Sequence, residues 1–569
     1  MKIDSYSLKK IFLIDFLVIL SIVIIIPLVL DLFGLNVKIL IISYIGNLLI
    51  ISTIIITAFD LFYLLRFKRN IYLLSSLSMT FTISLFLLLE YCFLNDYFDI
   101  VYVWSYSETT LAPIYKLVAI WAGEAGSIMT WMAFNTVVIF FFRLKNQNRD
   151  DSVFIMSTIL SLLISSVFLI ILFIYNPFQL ETPIFFPDGL GLNSLLRSPF
   201  MIWHPLFTFI AYAIFLIPFT VSIISLLSPN LSLQNPYQKS FYDFSLKFGW
   251  FVLTLSIGLG AYWAKIALTW GRYWGWDPVE TVSLIPWFFS TAYFHTITFK
   301  KTNSKLVKIN GILIFLSIIF STLITRGGGL TSLHAFTGES NLIIWTLIVG
   351  SILVVFSLYV IYDTLNSLSE NYKKTRLFLD YLSYLSLFML AFVCIFGLLI
   401  SPLTYFLSLF SNINVLYVGT DYFILTTLIL ASILAISLVF CSLYGMYKLK
   451  TIAIILAIGG IVQTILSFVI FSIFSVWINP VISLFIIALL SSILKLIKDF
   501  DSKTGLKQFF RINSKTYVHT GLSLILIGTL IDPEVWIFQD IFFISGFIFF
   551  LSGIIPSILI LFILKRNKV

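Results

Sequence analysis

Apolar residues along this chain fall into runs long enough to cross a bilayer, which takes about 20 residues of helix, and short polar breaks separate them. Read at that length, the pattern predicts an all-α fold, a polytopic integral membrane bundle of about 16 transmembrane helices. The first predicted spans are 11–33, 39–65, 71–94, 118–142, 153–175, 202–227, 247–268 and 282–299. The rest are 307–325, 341–362, 378–400, 421–447, 450–473, 475–497, 517–532 and 537–564. They form one membrane domain over residues 1–569, with no large soluble domain. The first apolar run is too long for a cleaved signal peptide and has no small-residue cleavage site, so it is expected to stay as an anchor.

Composition strengthens this reading. Hydrophobic residues make up 60% of the chain and charged ones only 11%, more apolar surface than one soluble core could hide. Charge then orients the bundle. With Lys9 and Lys10 on the cytoplasmic side, all but six of the 35 lysines and arginines fall on that side too, as the positive-inside rule requires. Both termini are therefore expected in the cytoplasm. The net charge of +9 is a topology signal, and no nucleic-acid partner follows from it. The six outer basic residues are Lys38, Lys116, Arg197, Lys265, Arg272 and Arg326. The last four flank the motifs described below, which points to anion recognition; snorkelling at span ends is the competing explanation. Cys92, Cys394 and Cys441 are isolated and form no Cys-x-x-Cys pattern, which excludes a thioredoxin-like pair and covalent c-type haem attachment to this chain.

The chemistry concentrates in the external stretch 263–287, which continues into the start of the next helix and holds five of the 13 tryptophans. Within it, Trp274-Gly-Trp-Asp-Pro-Val-Glu280 places an aspartate at a helix N-cap, proline in the first turn and glutamate at the third position. Asp277 and Glu280 are accordingly read as capping residues before catalytic acids. Two further outer loops carry histidines. Residues 176–204 end at Trp203-His204-Pro205, and residues 326–340 contain Arg326-Gly-Gly-Gly and His334. A third, around Trp121, contains Glu124, which either serves close helix packing or lines an outer cavity.

There are only four histidines: His204, His295, His334 and His519. His204 and His334 fall at the outer boundary. His295 lies about 25 Å below Pro278 at 1.5 Å per residue, and His519 follows Lys515 closely, so this second pair lies toward the inner surface. Zinc would call for thiolates, a carboxylate or a third imidazole, whereas haem needs two axial ligands. The residues alone leave two haems, or one haem and two structural histidines, equally open.

The tryptophan-rich motif resembles the WWD signature of the haem-handling superfamily that includes the CcmF and CcsA types. The stretch Ser198 to Pro205, the stretch Leu330 to Phe336, His295, and Thr516 to Gly521 extend the resemblance to the CcmF type in colinear order. The resemblance implies a cytochrome c haem lyase component in the plasma membrane. Haem would be held outside between His204 and His334 over Trp270, Trp274 and Trp276, with Arg197, Arg272 and Arg326 at its propionates. It would be attached to the CxxCH thiols of an apocytochrome c. A second haem b between His295 and His519 would relay electrons from a donor such as quinol. A haem chaperone, a thiol reductant and other maturation subunits are partners the resemblance admits. The chain departs from the pattern at Leu206, Thr281 and Glu124-Ala125, and only 531–536 joins the last two spans, where bacterial relatives carry an external domain. A bis-histidine electron-transfer cytochrome and a haem transporter are the alternatives; few charges at mid-membrane depth argue against the transporter.

Overall fold

The computed structural model describes residues 5–146, 151–180, 187–227, 236–268, 271–296, 305–326, 375–408, 418–444, 446–474, 480–500, 506–531 and 536–563, with a few positions at 355 and within 410–416. Among the described residues the architecture is helical and no β-sheet forms. Twelve described helices are long and apolar enough to cross a membrane, and the chain is a multi-pass membrane protein. The predicted span 341–362 lies outside the described residues. Of the three others absent from the twelve, 450–473 falls on a helix whose described apolar part, Leu449–Val462, is shorter than a span, while 282–299 and 517–532 belong to helices too polar to stand among them because they carry histidine, lysine and carboxylate groups.

The chain divides into two compact units, Met1–Trp263 with Thr302–Ser369, and Ala264–Lys301 with Glu370–Val569. In the first unit, α1 (Ser5–Leu20) passes through a π-helical segment into α2 (Ile26–Leu30), followed by α3 (Leu35–Phe67), α4 (Tyr72–Leu94), short α5 (Val101–Tyr106) and α6 (Pro113–Ala119). It continues with α7 (Glu124–Lys145), α8 (Ser152–Ile174), α9 (Phe200–Leu227), most of α10 (Pro236–Ala267) and, after an excursion, α12 (Lys305–Arg326). Between apolar helices in lipid there is no hydrophobic drive to associate, so buried polar contacts and close packing select the partners. Thr82 on α4 bonds Thr136 on α7 at 2.7 Å, and Ser161 on α8 meets Thr220 on α9 at 3.1 Å. Ser76 and Thr80 of α4 donate to the buried carboxylate of Asp15 on α1 at 2.7 and 2.9 Å. Arg143 is fully buried; it pairs with Asp60 and donates to Asn70 Oδ1 and Ile71 O, each at 2.9 Å. Such a group is tolerable only with its partners in place.

The second unit contains α11 (Pro278–Thr296), α13 (Thr375–Ser408), α14 (Thr420–Leu443), α15 (Leu449–Phe474), α16 (Pro480–Asp499), α17 (Leu506–Leu530) and α18 (Trp536–Ile563). Its tightest pair is α17 with α18, and glycine is the reason. A Cβ on Gly521 would stand 2.4 Å from Phe550 N, and one on Gly546 2.6 Å from Ile525 N. Gly528 and Gly553 repeat the contact at 2.7 Å from Phe543 N and from Ser514 O. These two pairs of glycines, each pair seven residues apart, bring backbone against backbone along both helices. Helix α17 begins well before the predicted span at 517, so His519 sits near the middle of a 25-residue helix.

Candidate functional site: an aromatic loop, a clasped histidine and a histidine pair

In the second unit the loop before α11 is held by the residues that begin the helix. Asp277 Oδ1 accepts from Val279 N at 3.0 Å, with Pro278 opening the helix, as the capping pattern predicts. Glu280 departs from the standard box: its Oε2 accepts from Gly275 N at 2.9 Å. Trp276 explains the difference. Its φ of 57° lies in the left-handed region, which costs a non-glycine residue about 1–3 kcal/mol, and this reversal presents Gly275 to the carboxylate. Trp276 stacks on Phe423 of α14 with 5.7 Å between centroids and 6° between planes, while Trp274 stands at 85° to it, 6.1 Å away. Trp274 Nε1 is buried with no acceptor among the described residues.

A second anchor pins the loop from the far end of the chain. Tyr273 stacks on Phe543 of α18 at 3.8 Å and 10°, and its hydroxyl donates to Asp540 Oδ1 at 2.5 Å. Lys265 pairs with the same carboxylate and lies 4.6 Å from the Tyr273 ring centroid. Because Asp277 acts through Oδ1 as an acceptor, Asp277→Asn is expected to keep the cap. Asp277→Ala should lose about 1 kcal/mol of stability, which thermal unfolding of the two purified variants in detergent will compare.

His204, in the first unit, occupies the first turns of α9. The next residue, Pro205, cannot donate to the carbonyl four residues back, and that carbonyl, Met201 O, instead accepts from Trp121 Nε1 at 3.2 Å. The His204 ring turns toward α10, where Nδ1 lies 2.8 Å from Ser256 O. Ser256 Oγ donates to His204 O at 2.9 Å and meets Thr208 Oγ1 at 2.5 Å. Beside it, Trp203 is exposed and stacks on Phe207, and Phe200 packs on Tyr262.

His295 and His519 lie together in the second unit, within electrostatic range of one another and of Lys515. Their helices are not close neighbours: α11 packs on α13, while α17 packs on α16 and α18. Both rings are deep in the unit yet keep accessible surface. Two imidazoles near one another on helices that do not pack closely together are a donor set that suits a haem iron.

The basic residues divide. Arg272 is exposed on the loop. Arg197 is engaged by Glu108 at 3.0 Å and by Leu192 O at 2.9 Å, Lys116 by Asp96 at 2.6 Å, and Lys38 by Asp31 and Tyr91. Arg326 is the last residue of α12. Glu124 opens α7, at the positive end of its dipole. Trp270 and His334 lie outside the described residues. The loop anchors Asp540 and Phe423 and the His204 partners Ser256 and Gly260 carry no motif of their own in the sequence.

These features define a multi-pass helical membrane protein with an anchored aromatic loop and a histidine pair, and comparison with known proteins shows what it resembles. Residues 121–331 match the family described as "Cytochrome C assembly protein". The chain is 32% identical over 281 residues to "Cytochrome c-type biogenesis protein CcmF" of Escherichia coli (strain K12), covering 48% of this chain and 43% of that protein. It is equally identical over 286 residues to "Cytochrome c-type biogenesis protein NrfE" of Haemophilus influenzae, covering 48% and 44%. The alignments thus span less than half the length of these curated relatives. A solved structure titled "Cytochrome c Heme Lyase CcmF" shares the fold, with a TM-score of 0.62 over 86% of this chain and 76% of that one at 17% identity. Residues 121–331 thus carry the match to the cytochrome c assembly family, and the chain is similar in sequence to CcmF- and NrfE-type cytochrome c biogenesis proteins.

Proposed function

We propose that this protein handles haem in cytochrome c biogenesis, holding it at the extracytoplasmic face of the plasma membrane for thioether attachment to the CxxCH motif of an apocytochrome c. The observation that carries this reading is the loop 271–277. It lies inside the segment matching the cytochrome c assembly family, and it spends backbone strain at Trp276 to fix two perpendicular indoles. Strain of this kind persists where the surroundings over-determine it, and it clusters at ligand sites. Flat aromatic faces suit a porphyrin, and exposed Arg272 suits a propionate. Attachment adds a cysteine S–H across each vinyl C=C, so no leaving group is needed. The protein's task is to orient the two reactants and leave an axial position that the apocytochrome histidine can take. His204 and His334 are the residues assigned to the iron of this substrate, and the axial bond to one of them must be weak enough to exchange.

The inner pair supports a second component. His295 and His519 would hold a resident haem b, with Lys515 placed to meet a propionate; when bound, that group supplies one-electron chemistry. Acting alone it would make the protein an electron-transfer cytochrome with no use for the aromatic loop. Quinol, a haem chaperone, a thiol reductant and further maturation subunits complete the proposed set of partners, and lipid surrounds the bundle.

Co-expression with an apocytochrome c reporter separates the readings. Wild type is expected to yield covalently stained haem on the reporter. His204→Ala should cut the yield by about 10-fold or more, the scale expected when a metal-site group is disturbed, while the protein still accumulates in the membrane. Undiminished reporter maturation by His204→Ala would sink the assignment of that residue.

A further inference from the structure

The side of α10 that meets His204 is built around that ring. A carbonyl oxygen can only accept, so the 2.8 Å contact between His204 Nδ1 and Ser256 O requires a proton on Nδ1. In the neutral imidazole the lone pair then resides on Nε2. One helical turn along α10, Gly260 leaves the room the ring occupies: a Cβ there would stand 2.6 Å from His204 Cε1 and 2.7 Å from Nδ1. The ring is stiff and tied at Nδ1, so it cannot yield while keeping its hydrogen bond. Ser256 Oγ closes the clasp from the other side by donating to His204 O at 2.9 Å, and Thr208 Oγ1 joins both groups. All of these residues belong to the first unit.

We infer that the Ser256 carbonyl and Gly260 are positioning elements that lock His204 in the Nδ1–H tautomer and present Nε2 as its ligating nitrogen. The inference rests on the reading of His204 as a haem ligand. A metal-bound histidine usually donates its second N–H to a fixed acceptor, which sets both tautomer and ring orientation and raises ligand basicity. Here a main-chain carbonyl performs that task. It is neutral, so it orients the imidazole without pushing it toward imidazolate as a carboxylate would. A neutral orienting partner suits a ligand whose bond must later exchange. Gly260 matters for its missing side chain alone, since its contact is with the ring and its backbone is helical.

With only four histidines, nitrogen NMR of the full-length protein labelled with 15N-histidine and purified in detergent without haem reads the tautomer directly, and His204→Gln identifies the signal. The expected result is a protonated Nδ1 and an unprotonated Nε2, the reverse of the form free histidine prefers in water. An Nε2–H signal for His204 in the wild type would overturn the inference. Ser256→Ala keeps the carbonyl and should keep the tautomer. Gly260→Ala should lose it, and titration with haemin should show affinity at the outer site weakened by about 10- to 100-fold. Added imidazole should then restore a six-coordinate low-spin spectrum. Gly249→Ala, which crowds Phe215 elsewhere on the same helix, controls for packing damage and should bind haemin as wild type does. Wild-type Nδ1–H together with no haemin binding would remove the haem reading and leave the clasp standing. Haemin binding untouched by Gly260→Ala would do the reverse. If Gly260→Ala fails to fold, the wild-type tautomer still decides.

Discussion

His295→Ala and His519→Ala are each expected to strip the purified protein of the b-type haem proposed for this pair, with the pyridine haemochrome signal falling to background. The two rings lie within electrostatic range of each other in one compact unit, on helices that do not pack closely against one another, and each is half-buried. If the two imidazoles hold a haem iron, truncating either would remove one of the two donors, and alanine offers no replacement. His204→Ala lies in the other unit and should leave the inner haem unchanged. Optical spectra of the three variants beside wild type make the test. Retention of the b-type bands in both inner variants, with their loss in His204→Ala, would exchange the roles of the two sites and remove the basis for an internal electron relay.

What the sequence disclosed, and what it withheld, follows from how far each interaction reaches. The helices, the cap at Asp277 and the membrane class are local: apolar runs, a proline in the first turn and an aspartate just before it are read within a few residues. Glu280 was legible as part of a capping box, but its actual donor, Gly275 N, was not, because that contact depends on the left-handed Trp276. The loop's other support joins residues 267 apart in sequence, Tyr273 and Asp540, and the clasp on His204 joins residues 52 apart. Neither leaves a local periodicity. Arg197 shows the opposite case. Its position beside the histidine loop suggested a propionate partner, and only the fold reveals Glu108 already at its guanidinium. Basic residues near a motif are easily counted from sequence, whereas their existing partners are not, and Arg272 is the one on the loop that stands exposed.

The second large effect concerns what holds His519 in place. Gly521→Leu is expected to destabilise the second unit by about 3 kcal/mol or more, at or beyond the upper end for overpacked positions. Most crowded sites relax because the obstructing atom ends a flexible side chain. At Gly521 the neighbours of a new Cβ are Phe550 N at 2.4 Å and Gly546 O at 2.6 Å, both backbone, so α17 and α18 must separate. Separation would break the matching contacts at Gly528, Gly546 and Gly553, and with them the hydrogen bond from Ser514 Oγ to Gly553 O at 2.6 Å. Because His519 stands only two residues before Gly521 on the same helix, any haem held by His295 and His519 should be lost along with stability, although neither histidine has been changed. Gly460→Leu on α15 is the matched control, since a Cβ there meets nothing within 4 Å. Thermal unfolding in detergent, followed by helical circular dichroism and by haem absorption, is expected to show a large drop for Gly521→Leu and little change for Gly460→Leu. Equal unfolding temperatures for the two would mean that α17 and α18 are not in backbone contact, and that His519 is held by something other than the glycine seam.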